Sequence, residues 1–130
     1  MIATSVEQSK HLLELGMPKE SADMAWYSSY AKEGYSIRML NDTYPLDIIG
    51  EEHDEIPAWS LTVLLDFLPE KIEPFYYISL EKYEKGYRMA YLYTIGGELQ
   101  HLIQYIGETA IDVTYDMVCI ILENKLKRNE

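Results

Sequence analysis

The sequence predicts an α+β fold of two layers, an antiparallel sheet with helices packed on one face. Runs rich in Tyr and Ile with a two-residue alternation, such as 87–95, recur between glycine-bearing turns. Segments with apolar residues at helical spacing stand near the start, in the middle and at the end. No internal repeat and no Gly/Ser linker interrupts the 130 residues, so residues 1–130 read as a single domain. A chain of this size buries about two-thirds of its extended surface, enough for a core without staples.

Thr4 stands three residues before Glu7, the spacing of a capping box, and so opens the first helix. Leu12, Leu13 and Leu15 give that helix an apolar side, and Gly16 followed by Pro18 stops it. Residues 19–23 read as one further turn. Residues 24–30 and 35–40 read as strands, joined by Lys32, Glu33 and Gly34 with the glycine left-handed. Residues 41–56 hold six acids (Asp42, Asp47, Glu51, Glu52, Asp54, Glu55) and no Lys or Arg. With Pro45, Gly50 and Pro57 as punctuation, they read as a loop carrying a short strand at 46–49.

A second helix is expected from about Ala58, with Leu61, Leu64, Leu65 and Leu68 on one face and Pro69 closing it. Residues 75–83 and 87–95 read as strands; in the latter Tyr87, Met89, Tyr91, Tyr93 and Ile95 share a face. Gly96 and Gly97 signal a hairpin. Residues 98–106 fit two periods: Leu99, Leu102, Ile103 and Ile106 suit a helix, Leu99, His101, Ile103 and Tyr105 a strand. The turn before them and Gly107 after them favour the strand. Thr109 then caps a last helix with Asp112 at its third position. Ile111, Val113, Val118, Ile120, Ile121 and Leu122 make it apolar on most sides, so it should lie buried across a sheet. Acids near its start (Glu108, Asp112, Asp116) and bases near its end (Lys125, Lys127, Arg128) suit the helix dipole.

Twenty-two Asp and Glu against 11 Lys and Arg leave a net charge of −11. That balance excludes a non-specific grip on nucleic acid or on an anionic membrane. Cys119 is the one cysteine, so neither an intrachain disulfide nor a multi-thiolate zinc cluster can form. No apolar run is long enough to span a bilayer. The start lacks the basic and apolar regions of a secretory leader, and a cytoplasmic location is expected.

The chemistry-bearing motifs are weak. His53 lies among Glu51, Glu52, Asp54 and Glu55, but successive loop residues cannot all converge on one ion. Glu108, Asp112 and Asp116 share a helix face without the Glu-x-x-His pairs of a carboxylate metal centre. Ser29 and Lys32 spell S-x-x-K without the partner triplets of that enzyme class. Cys119 reads as an inert core residue, and His101 as a half-buried sheet residue. No phosphate loop is present. No catalytic residue, cofactor or metal ligand is therefore assigned.

The unusual feature is aromatic content, twelve tyrosines with Trp26 and Trp59. Tyr joins a large apolar body to a polar tip, which suits sheet faces and interfaces alike. Trp26, Tyr27 and Tyr30 on one hairpin, and Tyr87, Tyr91 and Tyr93 on another, either cover each other or face a partner. The candidate partner contacts are Trp26, Tyr27 and Tyr30 with the acidic run Glu51, Glu52, His53, Asp54 and Glu55.

Three blocks carry a resemblance. The first runs from Thr4 to Lys10 (T-S-V-E-Q-S-K) with Leu15, Gly16 and the S-A-D-M of 21–24; the second is I-P-A-W-S-L at 56–61. The third joins G-E-T at 107–109 to Met117, Val118 and the L-E-N of 122–124. Together they resemble a family of small uncharacterised proteins of gut bacteria and their phages or mobile elements. The resemblance implies a cytoplasmic accessory protein, possessing no assigned activity and lending no site residue.

The leading expectation is a non-enzymatic protein-interaction or accessory protein that meets a protein partner, or a second copy of itself, through an aromatic-rich face. One alternative is an acidic DNA-mimic decoy that blocks a nucleic-acid-binding protein, from the charge and the 41–56 run. Another is a small enzyme with a carboxylate and histidine site, which requires burial to bring those pKa values toward neutrality.

Overall fold

The computed structural model describes residues 2–29, 34, 36–39, 53–72 and 76–123. Helices packed against antiparallel sheets make it α+β, as the alternating and helical periods predict. The chain divides into two compact units, Ile2–Val63 and Leu64–Glu130. The described strands form two sheets where the sequence predicts one.

In the first unit, helix α1 (Val6–Glu14) leads through a single 3-10 turn (Lys19–Ser21) into β1 (Met24–Ser29), β2 (Ser36–Met39) and β3 (His53–Ala58). The sheet order is β2-β1-β3. Register sets Met24 and Trp26 beside Ile37, Ile56 and Ala58 on one face, with Ala25 and Tyr27 on the other. Ala3, Met24 and Ala58 form a buried cluster against which Trp26 and Ile37 pack.

The cap of α1 falls one residue later than the spacing of Thr4 and Glu7 predicts. Ser5 accepts from the Gln8 N–H at 3.1 Å and its own N–H donates to Gln8 Oε1 at 2.9 Å. Thr4 is committed elsewhere. Ala3 bridges Ser60, and the Thr4 N–H donates to the Trp59 carbonyl at 2.9 Å. The Thr4 hydroxyl accepts from the Trp59 N–H at 3.2 Å and bonds Ser9 Oγ at 2.7 Å. The Thr4 carbonyl accepts the Trp26 indole N–H at 2.7 Å. The Trp59 indole N–H donates to Ser21 Oγ at 2.9 Å, and the Ser60 N–H to Asp23 Oδ1 at 2.9 Å. At the far end of α1, Gly16 takes φ +99° while Met17 N–H reaches back to the Leu12 carbonyl at 2.9 Å. This is the Schellman closure that Gly16 predicts.

Two boundaries move. The expected loop 41–56 ends inside β3, and β3 runs on through Pro57 to Ala58, where the sequence predicts the second helix to begin. Pro57 is tolerated because β3 is an edge strand among the described residues, where a proline need not break the ladder. Helix α2 (Leu61–Phe67) starts instead behind Ser60, whose hydroxyl accepts from the Val63 N–H at 3.4 Å. Gly34 has φ +77°, as its turn position predicts. The strand expected at 46–49 lies outside the described residues.

The second unit holds β4 (Lys71–Ile72), β5 (Tyr76–Tyr83), β6 (Gly86–Ile95), β7 (Glu98–Gly107) and α3 (Ala110–Leu122), in sheet order β4-β5-β6-β7. Only β4 has no counterpart in the sequence reading. Gly96 and Gly97, at φ +57° and +83°, make the two-residue turn between β6 and β7, so residues 98–107 are strand. Thr109 caps α3 by accepting from the Asp112 N–H at 3.1 Å. Helix α3 packs on β6 and β7 and buries Ile111, Val113, Met117, Val118 and Ile121 together with Met89 and Tyr91. The Tyr91 hydroxyl donates to the Pro69 carbonyl at 2.7 Å.

The β6–β7 pairing slips once. Tyr91 pairs with Ile103 but Leu92 with His101, which leaves Leu102 as the extra residue of a β-bulge. From Ile103 onward the odd residues of β7 face α3; before the bulge they face away. Leu99, His101, Ile103 and Tyr105 therefore do not share a face, contrary to the simple alternation.

Thr4→Val keeps the shape of the side chain and strands the partners of its hydroxyl. It should lower unfolding free energy by about 1–3 kcal/mol, against about 1 kcal/mol for Ser5→Ala at the cap. Urea titrations followed by tryptophan fluorescence measure both. In the second unit, a Cβ on Gly86 would meet the Gly107 carbonyl oxygen at 2.2 Å. Gly86→Ala should cost about 1–3 kcal/mol by overpacking. Glu84 in the neighbouring turn holds φ +52°, so Glu84→Gly should raise stability by about 0.5–1 kcal/mol. Thermal unfolding of the two variants should move in opposite directions.

Candidate functional site

Among the described residues, the candidate partner contacts read from the sequence do not gather on one exposed face. Trp26 is half-buried with its indole N–H on Thr4. Tyr27 is 5% exposed, and Arg38 lies 4.3 Å over its ring and donates to its hydroxyl. Tyr30, Glu51 and Glu52 lie outside the described residues. His53 and Asp54 belong to β3, where their backbones pair with Ser29 and Ser28. Glu55 is exposed beside Tyr27 on the same strand pair. Of the second aromatic group, Tyr91 is fully buried and Tyr93 stacks edge-on against Tyr76 at 4.7 Å. Trp59 has no exposed surface.

Of the exposed large hydrophobic side chains among the described residues, Ile2 and Met39 lie in the first unit, and Tyr77, Ile95, Leu99, Leu102 and Ile106 lie together in the second. One face of the four-stranded sheet packs on α3, through Tyr87, Met89, Tyr91, Ile103 and Tyr105. The opposite face carries Tyr77, Leu92, Thr94, Leu99, His101 and Ile106. On it Leu99 is 48% and Ile106 54% exposed, and Leu102 projects from the bulge. His101 is exposed here rather than half-buried, since the slip at Leu102 turns it from the helix. At the end next to Gly96, Tyr77, Leu92, Tyr93, Thr94 and Ile95 line a shallow groove of about 470 Å³. At the other end the face is charged: Arg88 donates from Nε to Glu81 Oε1 at 2.7 Å and lies 4.5 Å over the Tyr83 ring.

β7 is also a sheet edge, so one side of its backbone has no strand beside it among the described residues. Its ten residues contain no Lys, Arg or Pro. Natural edge strands are commonly blunted by such residues; here the devices among the described residues are the bulge and Glu98.

Titratable chemistry concentrates on α3. Burial pushes the Cys119 thiol up to about 11, with Asp116 and Glu123 adding to the shift while its bond with Tyr115 opposes it. Burial likewise raises the Tyr115 hydroxyl, helped by Cys119, Asp116 and Glu123, and raises the Asp116 carboxyl, helped by Asp112. Tyr105 on β7 is raised by burial and then by Asp116, Cys119 and Glu123, which puts those α3 groups beside the helix-facing side of β7. None of this poises a nucleophile near neutral pH. Among the described residues no three of His, Cys, Asp and Glu gather as a metal site requires, and no helix is long and apolar enough to cross a membrane. The chain matches no family model, no curated protein and no solved structure.

What sequence reading missed was the face, because the bulge decides which residues are turned outward. The mixed spacing of Leu99, Leu102, Ile103 and Ile106 was the available signal.

Cys119 should react with iodoacetamide at pH 8 about a hundredfold more slowly than a free thiol, becoming reactive on unfolding. Because folding raises the thiol pKa from near 9 to about 11, the native state holds the proton longer than the unfolded chain. Its contribution to stability is full below pH 9 and is lost as pH rises to about 11. Cys119→Ala should reduce that alkaline loss in urea titrations across this range.

Proposed function

We propose that this chain is a non-enzymatic protein-interaction module whose contact surface is β7 with the open sheet face beside it. The observation that carries the reading is the exposure of Leu99, Leu102 and Ile106 on a ten-residue edge strand without Lys, Arg or Pro. Exposed aliphatic side chains next to unused backbone donors and acceptors supply both halves of a strand-addition contact: apolar burial and main-chain hydrogen bonds. The high pKa of Cys119 speaks for binding over catalysis. The resemblance of the three sequence blocks to small gut-bacterial and phage proteins supports an accessory role, in the cytoplasm, of this kind.

Relative to the sequence expectation, the contact surface moves from the Trp26 and Tyr27 hairpin to β6 and β7. Trp26 and Tyr27 serve the interior of the first unit.

The test is affinity capture from bacterial lysate with the full chain and with the L99Q/I106Q variant, both positions being exposed enough to accept a polar side chain. Partners retained by the wild type through a high-salt wash should drop by about tenfold or more with the variant. Equal retention would remove this surface as the contact.

A further inference from the structure

The two sides of β7 differ in chemistry, and the difference specifies what can pair with it. Toward the open face it presents Leu99, His101, Gln104 and Ile106; toward α3 it presents Glu98, Gln100, Ile103 and Tyr105. The bulge makes this possible: in an unbulged strand Leu99 and Ile106, an odd and an even residue, would lie on opposite faces. On the other side α3 packs on β7, and burial, then Asp116, Cys119 and Glu123, raise the Tyr105 hydroxyl there. From Glu98 to Glu123 the chain carries five carboxylates (Glu98, Glu108, Asp112, Asp116, Glu123) and no Lys or Arg.

We infer that β7 takes up an extended segment of a partner protein whose residues alternate between apolar and Lys or Arg, added as a further strand to the sheet. The inference rests on the interaction reading above and names the chemistry of the partner. In strand addition the incoming residues alternate between the two faces of the sheet. Those on the open face meet Leu99 and Ile106 and gain from being apolar. Those on the α3 face meet Glu98 and the acids of α3 and gain from being cationic. The net charge of −11 draws such a segment in and speeds its encounter. A second copy is the wrong occupant, since its β7 brings another Glu98 and no Lys or Arg to meet the acids on this side.

The probe is a fluorescein-labelled peptide of about nine residues alternating Val and Lys, matched to the ten residues of β7. Its counterparts replace every Lys by Glu, or carry N-methyl groups at alternate residues in either phase to remove the donors on one edge. Anisotropy titrations against the full chain should show the Lys peptide binding about tenfold or more tightly than the Glu peptide. That affinity should weaken with added salt. One N-methylated phase should abolish binding and the other spare it. E98Q/D116N should weaken the Lys peptide severalfold while circular dichroism stays unchanged.

Equal binding of the Lys and Glu peptides, or indifference to both N-methyl phases, would overturn the inference. So would a wild-type dimer in sedimentation velocity that L99Q/I106Q returns to monomer, since β7 would then be occupied by a second copy. Lysate capture that depends on Leu99 and Ile106, with the two peptides binding alike, would leave the interaction reading standing and remove the cationic strand alone.

Discussion

The first unit hangs on the buried hydroxyl of Thr4. A hydroxyl with no exposed surface must find partners inside the protein, and Thr4 finds them in Ser9 of α1 and the Trp59 backbone. Satisfying it fixes the start of the chain against the end of β3. From there Trp26, Trp59, Ser21 and Asp23 are each bonded to the same junction or to its immediate neighbours. Both indole N–H groups are thereby used. Both tryptophans, Trp26 of the candidate partner contacts included, are tied into the first unit by the polar ends that let indole serve at an interface.

The second unit answers to a different constraint, the single extra residue at Leu102. A strand alternates strictly, so one insertion exchanges the faces of everything on one side of it. Ile103 and Tyr105 remain under α3, while Leu99 and His101 turn away from it. An open face with aliphatic side chains and a helix-covered face edged by carboxylates both follow from that slip.

Much of the fold was legible because local signals are strong where a residue has one conformational use. Gly16, Gly34, Gly96 and Gly97 all sit at positive φ where turns or a helix end were expected, and Thr109 caps α3. Legibility failed where tertiary pairing overrode a local pattern. Thr4 has the right spacing for a cap and is diverted by Trp59, so Ser5 takes the role. Pro57 reads as loop punctuation, yet an edge position lets β3 run through it. The spacing of Leu99, Leu102, Ile103 and Ile106, ambiguous between helix and strand, is what a bulged strand leaves in a sequence. The exposed surface was the least legible, because whether Tyr27 or Leu99 ends up inside depends on neighbours far along the chain.

The Ala3 to Ser60 bridge also bears on the order of assembly. In the second unit every strand pairs with its chain neighbour, and two turns of two residues each join the three longest, so contacts close over short loops. Hairpins of that kind form in microseconds. The bond between Thr4 and the Trp59 backbone joins residues 55 apart, and a contact so distant in sequence carries a larger loop-closure entropy before it is rewarded. A ribosome would release nearly all of Ile2–Val63 before its defining contact could be made. The β4–β7 sheet can begin to assemble as each strand emerges.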